Sequence, residues 1–237
     1  MRDFAAIFAI AAKRKGGANA LERMLAETAS RTPAEIAAIP DDRILAEMTR
    51  RIFQAGFSWT VIDNKWPAFE AGFAGFDPNA CAFMSEERFD ALMKDRGIVR
   101  NGPKIKAVQA NAQFLLDLKA EHGSAARFFA NWPDSDYIGL LAVLQKRASH
   151  LGGASAGRFL RAIGKPAFVT SPDMVAALIR EGVLERPPGG KRDLARIQAA
   201  FNRWSSDSGR DLTAIGRVLA MSIDAGEPYH RRGATAR

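Results

Sequence analysis

The sequence predicts an all-α protein, and two observations carry that prediction. Apolar residues recur every three or four positions through most of the 237 residues, as in residues 107–118, and this spacing places them on one face of a helix. Alternating runs of β-branched residues, which favour strands, are scarce. About ten helices of ordinary length fit between the breaks that Gly and Pro impose.

Ten short motifs containing Gly or Pro mark the predicted helix ends. In order they are Gly16-Gly17, Thr32-Pro33, Ile39-Pro40, Trp66-Pro67, Asp77-Pro78, Asn101-Gly102-Pro103, Trp132-Pro133, Gly152-Gly153, Ser171-Pro172 and Pro187-Pro188-Gly189-Gly190. Several helix starts also carry N-capping residues. These are Ser30 or Thr32, then Asp77, then Ser85. Capping is a structural signal, and we assign it no function.

The charge balance points to a polyanionic partner. The chain has 34 Lys and Arg against 26 Asp and Glu, a net charge of +8 and a sequence pI of about 10.0. Nucleic acid is the commonest partner of so basic a protein. No segment approaches the roughly 18 uninterrupted apolar residues that a membrane-spanning helix needs, so we expect no membrane partner.

The cysteine and histidine content predicts a cytoplasmic protein without a metal or other cofactor. A single cysteine, Cys81, excludes an internal disulfide and fits a reducing compartment. The three histidines, His122, His150 and His230, are scattered and form no zinc or iron–sulfur spacing with it. The apolar run at residues 4–12 precedes its basic cluster, which is the wrong order for a secretory signal.

A glycine-rich turn at residues 151–157 opens an apolar helix. Its glycines allow positive φ angles or a close backbone approach, and the N–H groups at the helix start lack intrahelical partners. Such a turn can bind a phosphate, and Arg158 and Arg161 follow it one helical turn apart. The alternative is a helix–helix corner in which the glycines serve packing alone.

A second turn, Asn101-Gly102-Pro103, precedes a helix whose first turn carries Lys104 and Lys106. Free N–H groups and two ammonium groups can together hold a phosphate. The alternative is a plain turn with solvated lysines.

Aromatic residues cluster at residues 53–59 and 66–69. Most aromatic side chains belong to a core. An enzyme that acts on a nucleobase, however, must unstack the base and hold it between π-faces. Phe57 or Trp59, together with the amide of Gln54, fits that task, and an amide among apolar neighbours needs partners.

Asp173 follows Ser171-Pro172 at a predicted helix start. A carboxylate there can simply interact with the positive end of the helix dipole. It can also stabilise the positive charge that develops on a sugar as a base departs, or activate the attacking water. Both interpretations stay open.

The order of these elements resembles that of the helix-hairpin-helix DNA glycosylases. Within that superfamily, the motifs of this chain are similar to the DNA-3-methyladenine glycosylase I family, closely over residues 44–118 and more loosely to residue 185. The motifs are Gln54-Ala55-Gly56-Phe57-Ser58-Trp59, Phe76-Asp77-Pro78, Gly97-Ile98-Val99-Arg100, Lys104-Ile105 and Asn111-Ala112. The resemblance implies two intertwined helical subdomains with an active-site cleft between them. We therefore expect one such domain at residues 1–230 and a disordered tail at residues 231–237.

The resemblance also implies residue roles. Asp173 takes the place of the superfamily's catalytic aspartate. Trp59 belongs to the base pocket, and residues 151–157 are the hairpin that binds DNA. Together with the residues singled out above, the predicted base pocket comprises Glu47, Gln54, Phe57 and Trp59, and the predicted DNA contacts are Lys104, Lys106, Gly152, Gly153, Ser155, Gly157, Arg158 and Arg161. This chain departs from the family in having Arg51 where the pocket glutamate is expected, and in lacking its zinc ligands.

These features predict a monofunctional DNA glycosylase. It would bind double-stranded DNA as a monomer, flip a damaged base, and hydrolyse its N-glycosidic bond without a cofactor. An alkylated purine resembling 3-methyladenine is the expected base, because a positively charged base leaves readily and stacks well on tryptophan. Such an enzyme would be cytoplasmic and associated with the nucleoid when bound to DNA. The alternatives are a non-catalytic helix-hairpin-helix DNA-binding protein and a basic helical protein that binds RNA or an acidic protein.

Overall fold

The computed structural model describes residues 1–224, which form α-helices joined by short turns and contain no β-strand. The prediction of an all-α protein is therefore confirmed. The predicted tail, residues 231–237, lies outside the described residues. The helices of the described range are α1 (Phe4–Arg14), α2 (Ala18–Ala26), α3 (Pro33–Ala37), α4 (Asp41–Gln54), α5 (Trp59–Gly72), α6 (Pro78–Ala82), α7 (Glu86–Lys94), α8 (Gly102–His122), α9 (Ala125–Asn131), α10 (Tyr137–Arg147), α11 (Ala154–Ala162), α12 (Pro172–Arg180), α13 (Lys191–Ser208) and α14 (Leu212–Met221).

Side-chain caps explain why most of the predicted helix starts are correct. Thr32, rather than Ser30, caps α3 and forms a reciprocal capping box with Glu35. Asp77 caps α6 by accepting a hydrogen bond of 2.7 Å from the backbone of Ala80. The helices outnumber the predicted ten in part because α3 and α6 have five residues each.

The break predicted at Trp66-Pro67 is wrong, because α5 continues through Pro67. Proline inside a helix removes the hydrogen bond to the carbonyl four residues earlier, here that of Asp63. Both Pro67 and Asp63 are exposed. Water can therefore reach the carbonyl that lacks a donor.

The chain divides into two compact units. Unit 1 comprises residues 1–30, residues 133–138 and the described chain from residue 166 onward. Unit 2 comprises residues 31–132 and 139–165. Each unit is thus built from stretches that are separated in the sequence. A single domain over residues 1–230 stays a prediction.

Unit 1 is centred on α14, which packs against α1 and α12. The rings of Phe168 and Phe201 lie 4.2 Å apart between their centroids. The hydroxyl of buried Tyr137 donates a hydrogen bond of 2.7 Å to the carbonyl of Phe168. This core therefore satisfies the polar end of its tyrosine.

Unit 2 is built around α8, a helix of 21 residues that packs against α4, α6 and α9. Helix α11 packs against α4. At the junction of α4 and α5, Phe53 meets Phe69 edge-to-face at 4.7 Å. Helix α8 and this aromatic packing support the turn between α4 and α5.

Over residues 1–224 we find no helix that combines the length and the apolar character needed to cross a membrane.

Candidate functional site

Two exposed aromatic side chains, Phe57 and Trp59, lie at the turn between α4 and α5, and Val61 on α5 is exposed as well. Phe57, Trp59 and Val61 are 40%, 48% and 43% exposed. Large apolar side chains grouped on a surface mark interaction sites more often than single ones do. We call Phe57 and Trp59 the aromatic surface and leave Val61 out, because residues two apart on a helix do not share a face.

Positive charge surrounds the aromatic surface. The guanidinium carbons of Arg51 and Arg158 lie 5.9 Å and 5.7 Å from the ring centroid of Trp59. The Nζ atom of Lys104 lies 4.6 Å from the ring centroid of Phe57. The structure thus brings Trp59 and Arg158, both predicted site residues, next to each other. Aromatic rings interleaved with basic groups are typical of nucleic-acid-binding surfaces.

The positive excess of the described chain lies mostly in unit 2. Unit 2 contains 18 Lys and Arg against 13 Asp and Glu, whereas the described residues of unit 1 contain 13 against 12. The unit that carries the aromatic surface is therefore also the more basic unit.

Arg51 connects two residues of the predicted base pocket. Its Nη1 donates a hydrogen bond of 2.8 Å to Oε1 of Gln54, which is only 5% exposed. Its Nη2 forms an ion pair with Glu47 one helical turn earlier. The buried amide of Gln54 therefore has the partner that its surroundings demanded. Sequence reasoning noted Arg51 only as a departure from the family and missed this role.

Glu47 also faces a cavity of unit 2, of about 210 Å³, which Arg50 and Trp66 help to line. This cavity does not include Trp59. Glu47 therefore connects to the aromatic surface through Arg51.

Lys104 holds the turn that presents the aromatic surface. Its Nζ donates to the carbonyls of Ala55 at 2.5 Å and Phe53 at 3.4 Å, at the C-terminal end of α4. Partial burial lowers the pKa of its ammonium group through desolvation. Its donors are thus used within the fold, which points to a positioning role rather than to the predicted phosphate contact.

The predicted phosphate site at the start of α8 is also partly occupied by the protein itself. The side chain of Asn101 accepts a hydrogen bond of 3.1 Å from the backbone N–H of Lys104. Lys106 is exposed, and its Nζ lies 5.0 Å from the ring of Phe89. Only Lys106 keeps an exposed ammonium group at this helix start.

The glycine turn differs in detail from the prediction. Gly153 is the N-cap of α11 and has a positive φ of 54°, and His150 has a positive φ of 59°. Gly152 is exposed in the turn. Gly157 lies buried inside α11, so its predicted place in the bend is wrong. The helical spacing between Gly157 and the apolar residues of α11 could have predicted this position inside the helix.

A buried asparagine ties this turn to α8. Fully buried Asn111 donates from Nδ2 to the carbonyl of Ser149 at 3.0 Å and accepts at Oδ1 from its N–H at 2.7 Å. Lys104 and Asn111 are seven residues apart, which places them on one face of α8 about 10 Å apart along its axis. Helix α8 therefore holds both the aromatic-surface turn and the glycine turn. In the sequence, only the Asn111-Ala112 motif indicated the contact between Asn111 and Ser149.

Asp173 belongs to unit 1, whereas the predicted base-pocket and DNA-contact residues belong to unit 2. It is the second residue of α12 and is partly exposed. Ser171 caps this helix by accepting a hydrogen bond of 3.3 Å from Met174. On α11, Ser155 and Arg161 are partly exposed and Arg158 is exposed.

No group of three or more His, Cys, Asp or Glu side chains in residues 1–224 is arranged to hold a metal ion. The arrangement instead offers an aromatic platform with cationic neighbours. It defines a surface suited to a polyanion that carries stackable rings.

Comparison with known proteins agrees with the sequence motifs. Residues 37–146 match the methyladenine glycosylase family. DNA-3-methyladenine glycosylase 1 of Escherichia coli is 39% identical over 66 residues, which are 28% of this chain and 35% of that protein. DNA-3-methyladenine glycosylase of Haemophilus influenzae is 33% identical over 66 residues, which are 28% of this chain and 36% of that protein. The predicted resemblance is confirmed over residues 37–146, which are similar to the methyladenine glycosylase family.

Solved structures give a weaker likeness. A crystal structure of 3-methyladenine DNA glycosylase I is 25% identical with a TM-score of 0.48, over 58% of this chain and 82% of that one. The enzyme from Staphylococcus aureus is 26% identical with a TM-score of 0.47, over 52% and 76%. The similarity to the family therefore rests on the sequence matches. These matches span about a third of the curated relatives' length.

Proposed function

We propose that this protein is a monofunctional DNA glycosylase, which flips a damaged base out of double-stranded DNA and hydrolyses its N-glycosidic bond with water. The observation that carries the proposal is the exposed ring of Trp59, which lies near the guanidinium groups of Arg51 and Arg158 and within the residues that match the family. An extruded base needs an aromatic face, and the DNA strand needs cationic contacts. An alkylated purine is the predicted substrate, since the named relatives are 3-methyladenine glycosylases.

The proposal gives each part of unit 2 a task. Trp59 and Phe57 stack the base, and Gln54 orients it or fills the opened duplex. The start of α11 binds the DNA backbone. Its proposed contacts are Gly152, Gly153, Ser155, Arg158 and Arg161, and Lys106 adds one more.

Asp173 is the proposed catalytic carboxylate. A carboxylate can stabilise the oxocarbenium-like sugar that forms as the base leaves. In this proposal no side chain acts as a covalent nucleophile. Water is therefore the attacking group, and the DNA strand stays uncut.

The test is the formation of abasic sites in duplex oligonucleotides that each carry one alkylated purine. The wild-type protein should release the base, and Asp173→Asn should reduce the rate by about 100-fold or more, as loss of a charge-stabilising group does. Asp193→Asn is the matched control, because Asp193 also lies in the first turn of a unit 1 helix. Full activity of Asp173→Asn would remove Asp173 from the mechanism.

One observation favours a second candidate, a non-catalytic DNA-binding protein. Glu47, the one carboxylate of the predicted base pocket, is paired with Arg51. DNA binding that weakens with salt is expected of both candidates, so it does not distinguish one from the other. Binding without abasic product from any lesion would favour the second candidate, and equal affinity for unrelated polyanions would contradict both.

We also propose that the protein acts as a monomer in the cytoplasm, associated with the nucleoid when bound to DNA. The lone cysteine, Cys81, supports a reducing compartment, because a single cysteine cannot form a disulfide within the chain. Light scattering of the purified protein with and without duplex DNA tests the monomer.

A further inference from the structure

We propose that α13 of unit 1 carries a second DNA contact, which binds the phosphate backbone of duplex DNA without regard to sequence. The contact consists of Arg192, Arg196 and Arg203, which we call the arginine row. This inference rests on the proposed function only for its partner, DNA, and adds a new surface to it. The arginine row lies outside residues 37–146, which match the methyladenine glycosylase family, and outside unit 2, to which the DNA contacts proposed above belong.

The spacing of the arginine row places it on one face of α13. Its members are four and seven residues apart, so they follow one another along a single stripe of the helix surface. All three residues are exposed. The row spans about 16 Å along the helix axis, whereas one DNA strand carries a phosphate about every 3.4 Å along the duplex axis. Each guanidinium can therefore contact a phosphate of its own.

The rest of the protein neutralises little of the charge on the arginine row. Within residues 1–224, the guanidinium groups of Arg192 and Arg196 form no hydrogen bond and no ion pair. That of Arg203 lies 3.7 Å from the carboxylate of Asp207, and both side chains are exposed. An exposed ion pair of this kind contributes little and is easily exchanged for another anion.

The remaining arginines of unit 1 are mostly used within the fold. Four of them form ion pairs, namely Arg2 and Arg180 with Glu181, Arg14 with Asp224, and Arg210 with Glu22. The described residues of unit 1 contain 13 Lys and Arg against 12 Asp and Glu, yet residues 186–203 alone contain five against one. The positive charge of unit 1 is therefore concentrated on α13 and the loop before it, where an external polyanion can reach it.

A cavity beside the arginine row leaves room for a ligand. It has a volume of about 510 Å³, and Arg196 and Arg203 line it together with the two alanines between them, Ala199 and Ala200. The other lining residues are Met1, Gly182, Val183 and Glu185. The small alanine side chains allow a nucleic-acid strand to approach the helix between the two guanidinium groups. Two arginines against one glutamate favour a negatively charged occupant.

The exposed residues of α13 fit a phosphate backbone better than an acidic protein. They are basic, small or polar, and none is large and apolar: Lys191, Arg192, Ala195, Arg196, Ala199, Arg203, Ser206 and Asp207. Protein interfaces usually bury aromatic or other large anchors at their centre. Contacts with DNA phosphates need only donors and positive charge, and the guanidinium fork matches phosphate oxygens. The partner that suits this face is therefore the DNA backbone.

The test is the salt dependence of binding to an undamaged duplex, measured by fluorescence anisotropy with the full chain. The variant Arg192→Gln/Arg196→Gln/Arg203→Gln should keep α13 helical, because the replaced side chains are exposed and Gln favours helices. Loss of one phosphate contact lowers the slope of log K against log salt by about 0.9. We expect the slope to fall by about 2 to 3 and the affinity to fall about tenfold or more.

The matched control is Lys13→Gln/Lys15→Gln/Arg23→Gln, which removes three exposed positive charges elsewhere in unit 1. Its slope should stay near that of the wild type. An equal fall in both variants would show that only the net charge matters, and it would overturn the inference. So would an unchanged slope in the α13 variant. Loss of binding to polyglutamate with DNA binding intact would assign the arginine row to an acidic protein, which also overturns the inference.

A second measurement uses the wild-type protein and does not depend on the folding of a variant. Undamaged duplex DNA should protect Arg192 and Arg196 from modification by phenylglyoxal, mapped by mass spectrometry, and should leave exposed Arg23 reactive. Equal protection of all three, or none on α13, would contradict the proposed contact. DNA binding through the arginine row without base release from any lesion would support the inference and contradict the proposed function. Base release with an unchanged slope in the α13 variant would do the reverse.

Discussion

Two tryptophans of the same helix show how similar contacts can serve different purposes. Trp59 and Trp66 lie seven residues apart on α5, and each ring has an arginine of α4 beside it. The guanidinium carbon of Arg50 lies 4.1 Å from the ring of Trp66, and that of Arg51 lies 5.9 Å from the ring of Trp59. A cation next to an aromatic ring therefore does not by itself mark a binding site.

The two rings differ in their other neighbours. Trp66 stacks on Phe69 and Phe76 at 5.5 Å and 5.3 Å and donates Nε1 to Glu70 at 2.9 Å. Trp59 has no ring partner among the described residues and remains half exposed. A ring packed on other rings contributes to stability, whereas an open ring is free to accept a ligand.

The largest expected effect separates the two tryptophans by stability. Trp66→Ala should lower the free energy of unfolding by about 3 kcal/mol, because it removes a stacked ring and its hydrogen bond. Trp59→Ala should change it by about 0.5 kcal/mol or less. Denaturant titration measures both values, and equal losses would show that Trp59 belongs to the core.

The next effect separates them by ligand binding. Trp59→Ala should weaken binding of lesion-containing DNA by about 1–3 kcal/mol, the usual contribution of stacking one base on an aromatic ring. Trp66→Phe keeps a ring in the stack and should leave affinity near that of the wild type. Fluorescence anisotropy with a labelled duplex measures this, and similar weakening by both variants would contradict the assignment.

Two contacts from α8 sharpen the comparison, because one holds the turn before Trp59 and the other holds the turn before Arg158. Lys104→Met removes the donor to Ala55 and Phe53, and Asn111→Ala removes both hydrogen bonds to Ser149. Each should cost about 1–2 kcal/mol of stability. Amide exchange should rise at residues 55–58 in Lys104→Met and at residues 148–153 in Asn111→Ala. A uniform rise in amide exchange across unit 2 in either variant would contradict the inference that Lys104 and Asn111 support different turns.

The smallest effect is on thiol chemistry near the packed ring. Cys81 is buried and its Sγ donates to the carbonyl of Phe73, whose ring stacks on Phe76. Burial raises the pKa of this thiol to about 12, so little thiolate forms at about pH 8 and a thiol reagent should react slowly. Trp66→Ala should speed the reaction and Trp59→Ala should not. Equal acceleration would mean that both rings protect the thiol.

The raised pKa of Cys81 also makes the stability of the fold depend on pH. A thiol with a raised pKa in the folded state stabilises the fold fully below its unfolded pKa of about 9, and this contribution is lost as pH rises toward 12. Cys81→Ala should remove that slope from the alkaline limb of the stability curve. An unchanged slope would mean that the titration of another group causes it.

Much of the fold was readable from local patterns. Apolar spacing predicts the helices, and Thr32 and Asp77 mark helix starts because an N-cap needs only residues within its own turn. The break at Trp66-Pro67 failed for a tertiary reason. Whether a proline ends a helix depends on the solvent around the carbonyl that it leaves unpaired and on the packing of the flanking turns.

The candidate site was only partly readable. Gln54, Phe57 and Trp59 were found from residue type and the family motif. The part played by Arg51 was missed, because a basic residue on an amphipathic helix face is common and its two partners lie at the ordinary spacing of one turn. Lys104 was found as a residue but given another partner, since nothing in its own segment reveals the carbonyls of Phe53 and Ala55.

The sequence by itself determined the helical class, most helix starts, the basic character and the resemblance to the methyladenine glycosylase family, because each depends on residue type or on neighbours within a few positions. Only the tertiary structure decided which tryptophan is packed and which is open, which cations surround Trp59, and that α8 holds both turns. Several of those properties come from contacts between residues that are distant in the sequence, such as Asn111 with Ser149, 38 positions apart, and Arg158 with Trp59, 99 positions apart. Contacts over such separations depend on how the helices pack, and local patterns do not encode that packing.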